Sequence, residues 1–158
     1  MLNKSKEILP LQFSKVLLIV PEFYTYHNEL LNAFNKISQQ VVFYSEMKQT
    51  ILYRLSCRLS HSLKKKLENK HIERLLNLSK NDRYDAVFIV RGARLTPEVL
   101  STLKENIPNV PFYLYQWDSY RQNDYRPIIS FFDSVSTFDS TGATSLATAG
   151  GAVNISKT

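Results

Sequence analysis

What most limits the folding of this chain is a set of apolar runs, too short for membrane spans and too continuous for half-exposed strands. KVLLIV at 15–20 and DAVFIV at 85–90 place Val, Ile, Leu and Phe at successive positions. A strand buried on one face alternates apolar with polar residues. A continuous run belongs to a strand covered on both faces, as in a parallel sheet. Three further segments suit strands: VVFY at 41–44, PFYLYQW at 111–117 and SVSTF at 134–138.

Helical spacing fills the intervals. Residues 28–39 bring Leu30, Leu31, Phe34 and Ile37 onto one face. Residues 49–80 align Leu52, Leu55, Leu59, Leu63 and Leu67 in a stripe expected to pack on the sheet. Ile72, Leu75 and Leu76 continue it after a break expected near Asn69 or Lys70. Thr96-Pro97-Glu98 is a helix start, with Thr as N-cap and Pro at the first helical position. A short helix is expected over 125–132. Strand and helix alternate throughout, which predicts an α/β, Rossmann-like three-layer domain with a five-stranded parallel sheet over residues 1–139.

Composition narrows the function. A chain of 158 residues with 44% hydrophobic content can form one core without a staple. The single Cys57 excludes an internal disulfide framework and a Cys-based zinc site, and no metal site is expected. No uninterrupted apolar run exceeds five residues, and the N-terminal MLNKSKEILPLQF lacks the apolar centre of a signal peptide. A cytoplasmic protein is expected. Only four glycines occur, where average usage gives roughly eleven. Neither GxGxxG nor GxxxxGK[ST] is present, so no nucleotide cofactor is expected. Residues 140–158 hold no acid, no aromatic residue and one cation, Lys157, and are expected to form a poorly ordered tail.

In open parallel sheets, ligands bind beyond the carboxyl ends of the strands. That rule selects the loops 21–27, 45–46, 91–94 and 118–121. Glu22, His27 and Asp118 are the candidate catalytic groups; Tyr24, Arg91, Gly92, Trp117 and Arg121 are the candidate substrate-binding residues. Each has a plainer role open to it. Glu22 and His27 can serve the adjacent helix N-terminus, and Arg91 can simply pair with Asp118. Gly92 can answer a backbone need for positive φ, and Trp117 can be rim packing. His61 and His71 read as surface residues, and Cys57 as a small helical hydrophobe.

The charge is concentrated. Residues 54–83 hold nine Lys or Arg against three acids, a net +6 that equals the formal charge of the whole chain. Lys64, Lys65 and Lys66 are the centre of a cationic face, which either stays solvated or meets an anionic membrane surface. Nucleic acid is not an expected partner, because no aromatic residues interleave with the cluster and no nucleic-acid motif accompanies it.

The order KVLLIVPEFYTYHNELLNAF, VVFYSE, YDAVFIVRGARLTPEVLSTLK, VPFYLYQWDS and FFDSVSTFD resembles the N-terminal half of a bacterial glycosyltransferase-like family. That family is associated with lipopolysaccharide or capsule synthesis and is distantly similar to spore-coat maturation glycosyltransferases. The resemblance covers about residues 15–139. Its most specific pieces are Val90-Arg91-Gly92 with Leu95-Thr96-Pro97-Glu98, Tyr115-Gln116-Trp117-Asp118, and Phe132-Asp133 with Thr137-Phe138-Asp139. It implies a two-domain GT-B architecture, in which this half faces a glycan or lipid-linked acceptor and a second domain binds the nucleotide sugar. After Asp139 the sequence departs from the family pattern into the tail, so a truncated member, inactive alone, is the expectation. The alternative is a non-enzymatic doubly wound interaction module, peripheral at an anionic membrane surface. A response-regulator receiver is not expected: Pro21-Glu22, Val90-Arg91 and Asp139 occupy the places its acidic cluster, Asp and Lys would need.

Overall fold

The computed structural model describes residues 12–47, 50–119 and 121–137, together with the backbone of 153–155. Its sheet is wholly parallel. The strands are β1 (Phe13–Val20), β2 (Ser38–Ser45), β3 (Ala86–Val90), β4 (Phe112–Gln116), β5 (Ser134–Thr137) and β6 (Val153–Ile155), in the order β2-β1-β3-β4-β5-β6. The five expected strands are therefore present in an α/β three-layer fold.

The apolar runs occupy the centre. Val16, Leu17, Leu18, Ile19 and Val20 are each 0% exposed, because β1 lies between β2 and β3 and is covered on both faces. Alternate side chains enter different cores. Leu17 and Ile19 join Val87, Ile89 and Leu114 on the face covered by α3 (His61–Lys80), α4 (Pro97–Asn106) and the 3₁₀ helix Arg126–Phe131. Leu18, Val20 and Val90 face α1 (Tyr26–Phe34), which packs Leu30, Leu31 and Phe34 against them. An aromatic ladder continues that face, with Phe34 edge-on to Phe88 at 4.6 Å and Phe88 stacked on Tyr113 at 4.6 Å.

Four expectations need correction. The first helix ends at Phe34 rather than 39: a turn follows, Ser38 Oγ donates to the Phe34 carbonyl at 2.5 Å, and 38–40 already belong to β2. The long helical stretch breaks at Ser60, not near Asn69, giving α2 (Ile51–Leu59) and α3. Ser60 serves both ends, since its N–H donates to the Ser56 carbonyl while its Oγ accepts from Leu63 N–H at 3.3 Å.

The third correction concerns the leucine stripe, which is not buried along α2. Leu52, Leu55 and Leu59 are 54%, 48% and 78% exposed. The fourth concerns the tail. Residues 153–155 pair with β5 as an edge strand, Ser136 opposite Asn154. An edge strand joins through backbone hydrogen bonds and needs little apolar content, which is why composition alone did not place it in the sheet. The remaining tail positions, together with Tyr120 and Phe138, lie outside the described residues.

The Thr96 cap is as expected. Its Oγ1 accepts from Val99 N–H at 3.4 Å, with Pro97 opening α4.

Candidate functional site

The chain leaves β1 toward the β2 edge and returns to β3 on the other side. The loops after β1 and β3 therefore run apart and leave a crevice at the carboxyl ends of the strands. Two groups of side chains meet there, joined by the loop between β3 and α4.

The first is built on that loop itself. Arg91 and Gly92 both have left-handed backbones, φ 73° and 65°. The Arg91 carbonyl is held twice, by Gln116 Nε2 at 2.9 Å and Asn123 Nδ2 at 3.1 Å. Gln116 is 0% exposed, and its Oε1 accepts from Asp118 N–H at 3.1 Å. This fixes both partners of the ion pair between Arg91 Nε and Asp118 Oδ2, at 2.7 Å. Beside it Trp117 meets Tyr26 edge-on at 4.8 Å and packs with the α1-side core.

The second group lines a cleft of about 840 Å³ between α2, α3 and the β3–α4 loop. Glu46, just beyond β2, is 4% exposed; its N–H donates to the Val20 carbonyl at 3.0 Å. Its Oε1 accepts from Arg94 N–H at 2.9 Å, while its buried Oε2 has no partner among the described residues. Burial pushes the Glu46 carboxyl above the usual carboxylate range, opposed in part by that hydrogen bond and by the charges of Arg91 and Arg94.

Across the cleft Glu68 Oε1 accepts from Tyr53 Oη at 2.8 Å and from Arg94 Nη1 at 3.0 Å. Tyr53 is pushed up to about 12 by burial and then by its bond to Glu68, so its hydroxyl is a donor at any ordinary pH. His71 ties α3 to the end of β2: Nε2 lies 2.7 Å from the Ser45 carbonyl, which can only accept. The proton therefore sits on Nε2. Nδ1 faces Tyr44 Oη at 3.2 Å. The surface reading of His71 is thereby corrected, while His61 is exposed.

The expected site residues fall into two sets. Arg91, Gly92, Trp117 and Asp118 come together as above, and the Arg91–Asp118 pairing is the plainer of the two roles open to that arginine. Glu22 is exposed, and Tyr24 is 85% exposed with Phe23 edge-on at 4.6 Å. His27 is half-buried on α1, its Nδ1 without a partner among the described residues and its ring 5.9 Å from Phe43. Arg121 is exposed, its N–H donating to Ser119 Oγ at 3.2 Å. Lys65 and Lys66 are exposed, and Lys64 lies 4.0 Å from Glu68. The selected loops 45–46 and 91–94 contain Glu46 and Arg94 without either being singled out, whereas Tyr53 and Glu68 lie outside every selected loop. Only the position of Glu46 at a strand's carboxyl end could have marked it. No group of His, Cys, Asp or Glu able to hold a metal is found among the described residues.

Fold and crevice define a doubly wound α/β domain with a polar crevice at the carboxyl ends of its strands. Comparison with protein-family models, curated proteins and solved structures gives no match. Among the described residues no helix is long and apolar enough to cross a membrane.

Proposed function

We propose that this domain is the acceptor-side half of a glycosyltransferase-like protein of bacterial surface polysaccharide synthesis. Its partner is a glycan or lipid-linked acceptor, and its place of work is the cytoplasmic face of the membrane, beside the cations Lys64, Lys65 and Lys66. Nucleotide-sugar binding belongs to a second domain and not to these residues. The observation supporting this reading is the Glu46 cleft. Three acids (Glu46, Glu68, Glu73) and three cations (Lys70, Arg74, Arg94) line it, so its formal charges balance and no strongly charged ligand is favoured. Glu46 Oε2 is buried and has no hydrogen-bond donor among the described residues, so a hydroxyl that reached it on ligand entry would meet an acceptor still to be satisfied. Leu52, Leu67 and Ile72 offer apolar wall of the kind a sugar ring covers. In this reading Glu46 orients an acceptor hydroxyl and, as a buried carboxylate, can take its proton.

Titration of a panel of neutral oligosaccharides, followed by ligand-observed NMR, tests it. Binding that Glu46→Gln weakens about tenfold, with the fold intact, supports the assignment. Micromolar affinity for UDP-, GDP- or CMP-sugars in the absence of oligosaccharide binding would overturn it. A second reading, a non-enzymatic interaction module on the same scaffold, is favoured by one observation, the apolar face of α2 that the core does not use.

A further inference from the structure

The second helix is packed inside out. α2 buries Tyr53 and Ser56, and both make polar contacts on that side: Tyr53 Oη donates to Glu68, and Ser56 Oγ to the Tyr53 carbonyl at 2.7 Å. Its aliphatic side chains lie on the exposed side, with Leu52 at the border where the helix meets the cleft. Ile51, Leu52, Leu55 and Leu59 are 74%, 54%, 48% and 78% exposed. At about 100° per residue their spacing gathers them into one arc of about 100°. Leu63 at the start of α3 is 38% exposed as well.

A core helix arranged this way would lose the stabilisation its apolar face normally supplies, so the face fits something outside the domain. Charge identifies what. From Ile51 to Leu67 the sequence carries Arg54, Arg58, Lys64, Lys65 and Lys66 and no acid at all. An aliphatic ridge on a segment whose own charges are all cationic matches a surface that is apolar beneath and anionic at its edge. Leu52 belongs both to the ridge and to the wall of the Glu46 cleft, so a surface met by the ridge would lie beside the cleft.

We propose that α2 is an interfacial helix that inserts Ile51, Leu52, Leu55 and Leu59 into the acyl boundary of an anionic bilayer, with the cations of α2 and early α3 on the headgroups. This goes beyond the electrostatic contact of Lys64–Lys66, because the apolar ridge makes the attachment persist when salt screens the charges. It stands or falls without the glycan reading, since the vesicles used to test it carry no sugar.

The test is sedimentation of the full chain with vesicles of phosphatidylglycerol and phosphatidylcholine at low and high salt. The unmodified protein is expected to pellet at low salt and to retain part of that binding at high salt. Leu55→Ser with Leu59→Ser replaces side chains the core does not use; it leaves circular dichroism unchanged and lowers partitioning about tenfold or more at both salts. Replacing Lys64, Lys65 and Lys66 with Gln lowers it on the order of 100-fold at low salt and much less at high salt. A polarity-sensitive dye on Leu59→Cys, in a Cys57→Ser background, shifts to the blue with vesicles; the same dye on the native Cys57, off the arc, shifts less. Protein left in the supernatant at low salt, or Leu variants that partition like the unmodified chain, would overturn the proposal. So would sedimentation velocity showing a dimer that Leu59→Ser dissociates, which would assign the ridge to a second copy.

Discussion

Arg91 and Gly92 occupy the left-handed backbone region in succession, at φ 73° and 65°, and the two residues reach that state differently. Gly92 has no Cβ to strain. A methyl added there would lie 3.4 Å from Ile128 Cδ1 and 3.5 Å from Leu114 Cδ1, in contact but without a severe clash. The penalty for Gly92→Ala is therefore mainly conformational, about 1–2 kcal/mol, and should appear as a lower denaturant midpoint with an unchanged slope. Arg91 is held instead by Gln116 and Asn123 on its carbonyl. Glycine scarcity made Gly92 conspicuous in the sequence; the need for positive φ at Arg91 had no such signal, because it is met by partners distant in sequence.

Glu46 yields a prediction in pH. Its folded carboxyl titrates above the ordinary 4.5, with burial the largest cause. Well below 4.5 it is neutral in folded and unfolded chains, and no penalty arises. As pH rises from there through the folded value, the unfolded chain ionises first and wild-type stability falls. Gln at this position does not titrate. The stability of Glu46→Gln relative to the unmodified chain should therefore move in the variant's favour between pH 4 and pH 7, read from urea melts at both. A difference that stays constant, or moves the other way, contradicts burial as the dominant influence.

At the scale of elements, the strands were legible because a parallel strand covered on both faces must be apolar at successive positions. β1 meets that requirement from Val16 to Val20, all fully buried. Helix ends were less legible. The apolar spacing runs on through Ser60, so periodicity alone gives no break there; the break is a capping event, visible only as a serine whose hydroxyl and N–H serve different helices. Periodicity also reveals an apolar arc without revealing what covers it, which is why the stripe along α2 was expected inside. Because α2 is anchored by Tyr53 rather than by its leucines, Tyr53→Phe should act locally. Losing the 2.8 Å bond to Glu68 costs about 1.5–3 kcal/mol, bounded by what holds α2 in place. Hydrogen exchange should quicken about tenfold or more in α2 while β1 and β3 stay protected. Equal loss across the sheet would mean that α2 folds as part of the core.

Across the whole molecule, the two sheet faces are covered unequally: α3, α4 and the 3₁₀ helix lie on one, and α1 lies on the other. The sheet edges differ as well. β2 closes one side with eight residues, whereas the other side ends in β5 and the three-residue β6. β5 contributes Val135 to the core, and Thr137 is fully buried, so its outer side is a row of backbone groups whose partner is β6. Removing residues 140–158 would leave that row open, and an open parallel edge is a template for another chain. The shortened protein should keep its β1–β5 circular dichroism signature, melt lower, and associate as concentration rises, which sedimentation velocity from a few to about 100 μM would register. A monomer throughout that range with an unchanged melting point would mean that β6 neither stabilises nor shields β5. In that case residues 140–158 would behave as the poorly ordered tail that their composition suggests. The expected outcome is the opposite, because three backbone positions paired to β5 are enough to occupy an edge only four residues long.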